Sequence, residues 1–422
     1  MLGLGVASAV AALTGCRRDD SPGPAPTRAA SSGPTASPTR TRTIDGDALS
    51  EALAATLRRY LEPTPENPDH SSYAGAVALV TIGGARVAGA AVGEAVRYGA
   101  GPVLLPPEQR VPMREDAIFD LASVTKVVTA ILLLRLVDAG RVDLAAPVQA
   151  YLPEFRGPGK DAVTVTHLLA HTAALPVGPN LAGLSTVEER WRAVVDTPLL
   201  PGVVPGTVFR YSSVGLMLAG LIVERLTGQR LDEAVRTQLA EPLGLRDTGY
   251  TPLSWLPEEA RSRLVATDAR SSRGLLRGVV HDDVCHLLGG VAGHAGLFST
   301  AADLAAIGQL LLDEGGPLLS AGMVKRMLTN VNTNLPAVDP DRPNRTSDHG
   351  LGVVLNQPWF MGELAAPTTF GHTGFSGTSI VCDPRYDLVL VLLTNRAHPN
   401  WSWANPDPVR AHVATVVAQH LA

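Results

Sequence analysis

Two separated stretches of strand-like sequence, with helical patterns between them, constrain this chain more than any other feature. Near the start, residues 74–84 (AGAVALVTIGG) and 85–95 (ARVAGAAVGEA) read as two β-strands joined at Gly83-Gly84, a pair that tolerates the positive φ of a tight hairpin. Near the end, residues 377–382 (GTSIVC) and 387–395 (DLVLVLLTN) are apolar β runs on either side of Asp383-Pro384-Arg385-Tyr386. Between about 120 and 250 the apolar spacing becomes helical: 125–140 closing on Gly140, 164–175 (TVTHLLAHTAAL), and 212–228 closing on Gly228. Strands from both ends bury their faces most simply in one sheet, so the chain is expected to be α+β, with a helical subdomain inserted at about 120–280. Leu49, Leu53, Leu57 and Leu61 share one face of a helix that opens the folded domain and stops before Pro63; another amphipathic helix closes the chain. The cleft between sheet and helical part is the expected place for chemistry.

Ahead of that domain, residues 1–16 (MLGLGVASAVAALTGC) form an apolar, small-residue run ending in Leu13-Thr14-Gly15-Cys16. The run is too short for a spanning helix and reads as a processing segment; its end resembles the lipobox of bacterial lipoproteins. That resemblance implies lipidation at Cys16 and an extracytoplasmic protein anchored to the membrane. No Lys or Arg precedes the apolar run, so the translation start is expected to lie upstream. Residues 17–46 are dense in Pro, Ser, Thr and Gly and read as a flexible tether, which leaves 47–422 as the folded domain. The net charge of −5 and the lack of a basic, aromatic-interleaved stripe exclude nucleic acid as an expected partner.

Three of the 35 basic Lys and Arg side chains are lysines, Lys126, Lys160 and Lys325; the other 32 are arginines. Lys126 lies inside the apolar run FDLASVTKVVTAILLL, where a surface charge is out of place. An ammonium, unlike a guanidinium, gives up its proton when desolvated. Ser123 precedes it by three residues at the start of the helix, so the two side chains share a face. A serine hydroxyl needs such a base to attack a carbonyl, and a helix N-terminus offers backbone N–H groups to the resulting oxyanion.

The stretch FDLASVTK (119–126) is followed by PGTVFRYSSVG (205–215) and FGHTGFSGTSIV (370–381). In this order the set resembles the serine β-lactamase and penicillin-binding protein superfamily, in particular its class C-like branch with esterases and D-amino-acid peptidases. HLLAHTAALP, LAGLIVERLTGQRL, EPLGLRDTGY and LLTNR extend the likeness over residues 47–421. The resemblance implies a β-lactamase/transpeptidase-like fold with an antiparallel sheet, a monomer, no cofactor and no metal. It also implies that Ser123 is acylated, Lys126 is its base, and Tyr211 relays protons. Ser213, His372 and Thr373 would line the substrate cleft from the second motif and an edge strand, Gly374 would allow close approach, and the Phe375 N–H would complete the oxyanion hole.

Two departures bear on substrate. Ser213 stands where such enzymes often carry Asn, and His372 replaces the lysine of Lys-Thr-Gly, a cation that carboxylate recognition leans on. Small esters are therefore expected ahead of D-alanyl cell-wall peptides, and those ahead of β-lactams. A slow binding or sensing module is the alternative of another class. His281, Asp282, His286 and His294 lie in a glycine-rich stretch, 279–300, expected as a loop at the cleft edge rather than a zinc site, and His167 and His171 lack the Glu of a zinc-protease helix. Cys285 and Cys382 are expected as two unpaired buried thiols.

Overall fold

The structure, a computed structural model, describes residues 44–270, 272–338 and 345–421; Cys16 and nearly all of the expected tether lie outside them. Helix α1 (Gly46–Arg59) starts one residue before the expected domain boundary because Asp45 caps it, its carboxylate accepting the Ala48 N–H at 3.0 Å. Leu49, Leu53 and Leu57 are fully buried, each contributing about 1.5–3 kcal/mol of transfer free energy. Strands β1 (Gly75–Ile82) and β2 (Ala85–Val96) form the expected hairpin, with Gly83 and Gly84 both at positive φ. A short strand β3 (Val111–Pro112) pairs with the far edge of β2. Helices α2 (Thr125–Asp138) and α3 (Ser213–Thr227) pack against each other, and α4 (Ala301–Leu312) lies on the sheet. The sheet is completed by β4 (Val354–Leu355), β5 (Phe370–Thr373), β6 (Ser379–Asp383) and β7 (Leu388–Thr394), and the chain ends in α5 (Asp407–Leu421).

Seven antiparallel strands run in the order β4-β5-β6-β7-β1-β2-β3. Its centre joins the two ends of the domain, Ala76 opposite Thr394 through Ile82 opposite Leu388. Both faces of that centre are covered, which explains why β7 reads as an unbroken apolar run rather than an alternating one. Leu388, Leu390 and Leu392 pack with Leu53, Val413 and Val417 of α1 and α5. Val389, Val391 and Leu393 point the other way, into the core that holds Val127 and Ile131 of α2 with Leu304 and Ile307 of α4.

Beside the main sheet, Leu297–Ser299 pairs between Phe119–Asp120 and Gly249–Tyr250, and this small sheet fixes the chain just ahead of α2. The sequence predicts one helix over 164–175, but only Val165–Leu169 is helical, because His171 and Ala174 adopt positive φ. His167 and His171 consequently share no helix face. His167 closes a capping box on Thr164, whereas the His171 Nδ1 accepts the Ser212 N–H at 3.2 Å. Cys285 and Cys382 are both buried and free.

Candidate active site

Ser123 sits in a single 3-10 turn, Ala122–Val124, that runs into α2. The turn is held in a costly conformation, with Ala122 at φ +46°. Asp120 stabilises it from below: one carboxylate oxygen accepts the Ala122 N–H at 2.8 Å and the other accepts the His281 N–H at 2.7 Å. Burial pushes the Asp120 carboxyl up, against those two N–H groups. The same turn is stitched to the third motif, because Ser376 Oγ donates to the Asp120 carbonyl at 2.7 Å and Thr378 Oγ1 to that of Leu121 at 2.9 Å. A Cβ on Gly374 would lie 2.3 Å from the Leu121 carbonyl, so glycine there is a condition of this close approach.

One helical turn on, Lys126 is fully buried. Its Nζ donates to Ser123 Oγ at 2.9 Å and to the His294 carbonyl at 3.0 Å, and lies 5.0 Å from the centre of the Tyr211 ring. The glycine-rich stretch is thus more than the cleft-edge loop expected of it, since it brings a carbonyl onto the lysine. Gly293 permits this, for a Cβ there would lie 2.1 Å from the Leu216 carbonyl of α3. The four polar side chains of the stretch do not converge: His294 meets Asp282 at 3.1 Å, His281 meets Asp268 at 3.4 Å, and His286 belongs to neither pair. Burial alone would raise the Asp282 carboxyl, but His294, the Cys285 N–H and the Lys126 charge hold it well below the usual range. Burial lowers the His294 imidazole, with Asp282 opposing, and its Nε2 lies 3.1 Å from the Asp282 carboxylate.

Tyr211 precedes the Ser212 N-cap of α3 and half-faces the cleft. Its ring packs on His171 at 4.6 Å, and His171 in turn meets His349 at 4.9 Å. Burial drives the His171 imidazole far down, helped by His349, Lys126 and His372. It also pushes His349 down to about 4, although its Nδ1–H donates to the Gly350 carbonyl at 2.8 Å.

Ser123, Tyr211, Ser213, His372, Thr373, Gly374 and Phe375 all line one cavity of about 750 Å³, with Lys126 beneath its floor. His372 is only 2% exposed, with Nδ1 2.8 Å from the Thr373 carbonyl. One expectation needs correction: strand β5 is not the outermost strand, since β4 covers Phe370 and Gly371; it becomes an edge only at His372 and Thr373, where it meets the cavity. The same cavity is also lined by three arginines, Arg345, Arg396 and Arg410, beside Trp359 and Trp401; Arg396 closes the LLTNR stretch and donates to the Phe375 carbonyl at 3.1 Å, and Arg410 donates to the Gly374 carbonyl at 2.6 Å. Asp407 pairs with Arg345 at 2.7 Å and with Arg410 at 2.9 Å. Another cavity, of about 420 Å³ beside α4, is lined by charges already paired with one another, Arg86 with Glu115 and Arg263 with Asp247.

A family profile described as Beta-lactamase matches residues 24–415. The chain is 33% identical over 352 residues to the N-acetylmuramyl-L-alanine amidase of Bacillus subtilis (strain 168), covering 78% of each. It is 32% identical over 341 residues to a proposed D-alanyl-D-alanine carboxypeptidase of Escherichia coli (strain K12), covering 72% of this chain and 74% of that one. Among solved structures, a penicillin-binding protein homolog from Caulobacter crescentus superposes with a TM-score of 0.65 at 22% identity, over 88% of this chain and 97% of that one. The D-amino acid amidase from Ochrobactrum anthropi SV3 gives 0.65 at 21% identity, over 89% and 100%. At these identities the structural likeness is one of fold.

Proposed function

The chain belongs to the beta-lactamase family, and on that premise we propose that it is a serine hydrolase cleaving amide bonds of cell-wall peptides through an acyl-enzyme on Ser123. The observation that carries this reading is the 2.9 Å contact between Ser123 Oγ and Lys126 Nζ at the floor of the cleft. Ser123 Oγ attacks the scissile carbonyl while Lys126 takes its proton. The Ser123 and Phe375 backbone N–H groups receive the oxyanion. Tyr211 passes a proton to the leaving nitrogen, the C–N bond breaks, and the amine departs. Water then attacks the ester, its proton moving through Tyr211 and Lys126 back to Ser123 Oγ as the C–O bond breaks and the acid leaves.

Two relatives are named for cell-wall amide bonds, which supports peptides ahead of small esters, with β-lactams as weak substrates. The argument for esters rested on a cation missing at His372; Arg345, Arg396 and Arg410 line the same cavity, so cationic side chains reach it from other segments of the chain. Ser213, in place of an amide side chain, favours a second reading in which deacylation is slow and the protein acts as a trap or sensor. Lipidation at Cys16 would hold the hydrolase on the outer side of the cytoplasmic membrane, and Cys16→Ala should release it from the membrane fraction. Intact-mass measurement after brief exposure to an activated ester and to a β-lactam tests the mechanism. An adduct on Ser123 that forms and decays is expected, one that persists supports the sensor, and none on Ser123 overturns the acyl-enzyme.

A further inference from the structure

One residue holds the chain on both sides of Tyr211. The His171 carbonyl accepts the Arg210 N–H at 2.9 Å, and the His171 Nδ1 accepts the Ser212 N–H at 3.2 Å. Between those two bonds its ring packs on the Tyr211 ring, with centres 4.6 Å apart and planes tilted by 37°. His349 and Phe209 meet the same buried imidazole nearly at right angles, at 4.9 Å and 6.0 Å. This triple engagement depends on the backbone. His171 sits at φ +57°, a left-handed conformation that histidine and asparagine adopt more readily than most residues with a Cβ. In a continued helix its carbonyl would accept from the fourth residue on; out of the helix it meets Arg210 instead. A second cost is kept beside the first. An Nδ1 that accepts leaves the proton of the neutral ring on Nε2, which has no acceptor among the described residues. Strain and an unsatisfied buried donor at a single residue call for an explanation in function.

We propose that His171 is the positioning residue of Tyr211: by holding both flanking amides and the ring it places the phenol for the two proton transfers at Ser123. Lys126 Nζ lies 5.0 Å from the centre of the Tyr211 ring, so the phenol works at short range, where an error of about 1 Å costs about 10²-fold. His171 itself lies behind Tyr211 and is not among the residues that line the cavity, so its effect passes through the tyrosine and not through substrate. The inference rests on the reading of Tyr211 as the proton relay.

A double-mutant cycle on the acyl-enzyme tests it, with an activated ester as substrate and each rate taken per acylated Ser123, so that unfolded protein does not count. His171→Ala should slow deacylation by about 10²-fold. His171→Asn should regain about tenfold of that but not all, because Asn tolerates positive φ and carries its amide oxygen on Cγ, where histidine carries Nδ1, yet lacks the ring. In a Tyr211→Phe background no hydroxyl is left to place, so His171→Ala should cost no more than about threefold further. A full further loss in that background would show His171 acting apart from Tyr211 and would overturn the proposal, as would normal deacylation in His171→Ala or an Asn variant no faster than Ala. If His171→Ala does not fold, the same cycle with His171→Asn decides: its tenfold loss must appear beside Tyr211 and vanish beside Tyr211→Phe, and any other result overturns the proposal. Failure of the underlying reading looks different, because Tyr211→Phe alone would then deacylate at the wild-type rate, and the inference would fall with it.

Discussion

Lys126 and Lys160 are both withdrawn from solvent, at 0% and 2% exposure, yet their surroundings differ in the atoms that matter for chemistry. Lys160 Nζ donates to the Val195 carbonyl at 2.8 Å and rests 4.4 Å from the centre of the Phe155 ring, and among the described residues no hydroxyl hydrogen-bonds it. Lys126 Nζ also has one carbonyl and one ring, but the ring is a tyrosine and a serine oxygen lies at 2.9 Å. Two of the chain's three lysines are thus buried, Lys325 being exposed, and only the neighbouring Ser123 and Tyr211 make one of the two buried amines reactive. Scarcity by itself does not identify a base.

Swapping each lysine for arginine is the strongest way to break this contrast. Lys126→Arg keeps the charge but cannot accept a proton, so acylation by an activated ester should fall by about 10³-fold, within the range for a positioned general base. Lys160→Arg should acylate at the wild-type rate while melting at a lower temperature, because the larger guanidinium must enter a filled site. Equal acylation by wild type and Lys126→Arg would remove the base assignment.

Tyr211→Phe sharpens the comparison further, since it gives Lys126 the kind of ring that Lys160 already has. Deacylation should slow by about 10²-fold, at least as much as acylation, and the progress curve should show a burst followed by a slow steady rate. Unchanged turnover would make Tyr211 a packing residue.

How much of this was legible in the sequence follows from the range of the interactions. The hairpin at Gly83-Gly84, the helix ending at Gly228 and the Ser123–Lys126 spacing are local, and the structure has them where the sequence predicts. The resemblance carried the rest of the motif residues into one cavity. What escaped was set by contacts between distant segments: Asp120 supporting the nucleophile turn through His281, the His294 carbonyl reaching Lys126 from 168 residues away, and Asp407 pairing with both Arg345 and Arg410 at the cavity. The helix expected over 164–175 failed for the same reason, His171 leaving it to meet Ser212 and Tyr211. Asp120 did carry a local signal, an acidic residue two positions before Ala122 inside an apolar run.

The Lys126 neighbourhood differs from that of Lys160 in a second respect, its buried imidazoles, and this predicts where acid acts. His349 titrates near 4 in the folded protein against about 6.5 unfolded. Between those values the unfolded chain binds the proton and the folded one does not, so the stability is complete above pH 6.5 and declines as pH falls toward 4. A shift of this size corresponds to about 3 kcal/mol. His171, depressed by the same burial, adds to the decline in the same direction. Denaturant unfolding at several pH values should show a shallower acid slope in His349→Gln than in wild type. Parallel slopes would mean that the imidazole titrates alike in both states.

The smallest effect is expected at Lys160, and it tests whether that site is structural at all. Lys160→Met keeps the apolar stem and gives up the bond to the Val195 carbonyl and the contact with Phe155, a loss of about 1–2 kcal/mol offset in part because no charge has to be buried. Net stability at pH 7 should move by about 1 kcal/mol or less, with turnover unchanged. A pH signature separates the lysine from other causes. Burial lowers the Lys160 pKa, with Asp196 opposing, so the unfolded chain holds its proton to higher pH than the folded one. Wild-type stability should consequently gain from Lys160 as pH climbs through that lowered value toward about 10.4. The methionine variant lacks that gain, and so would an arginine, which stays charged throughout. If Lys160→Met instead lost turnover while keeping its stability, Lys160 would belong with Lys126, and the neighbouring hydroxyl would no longer be what distinguishes them.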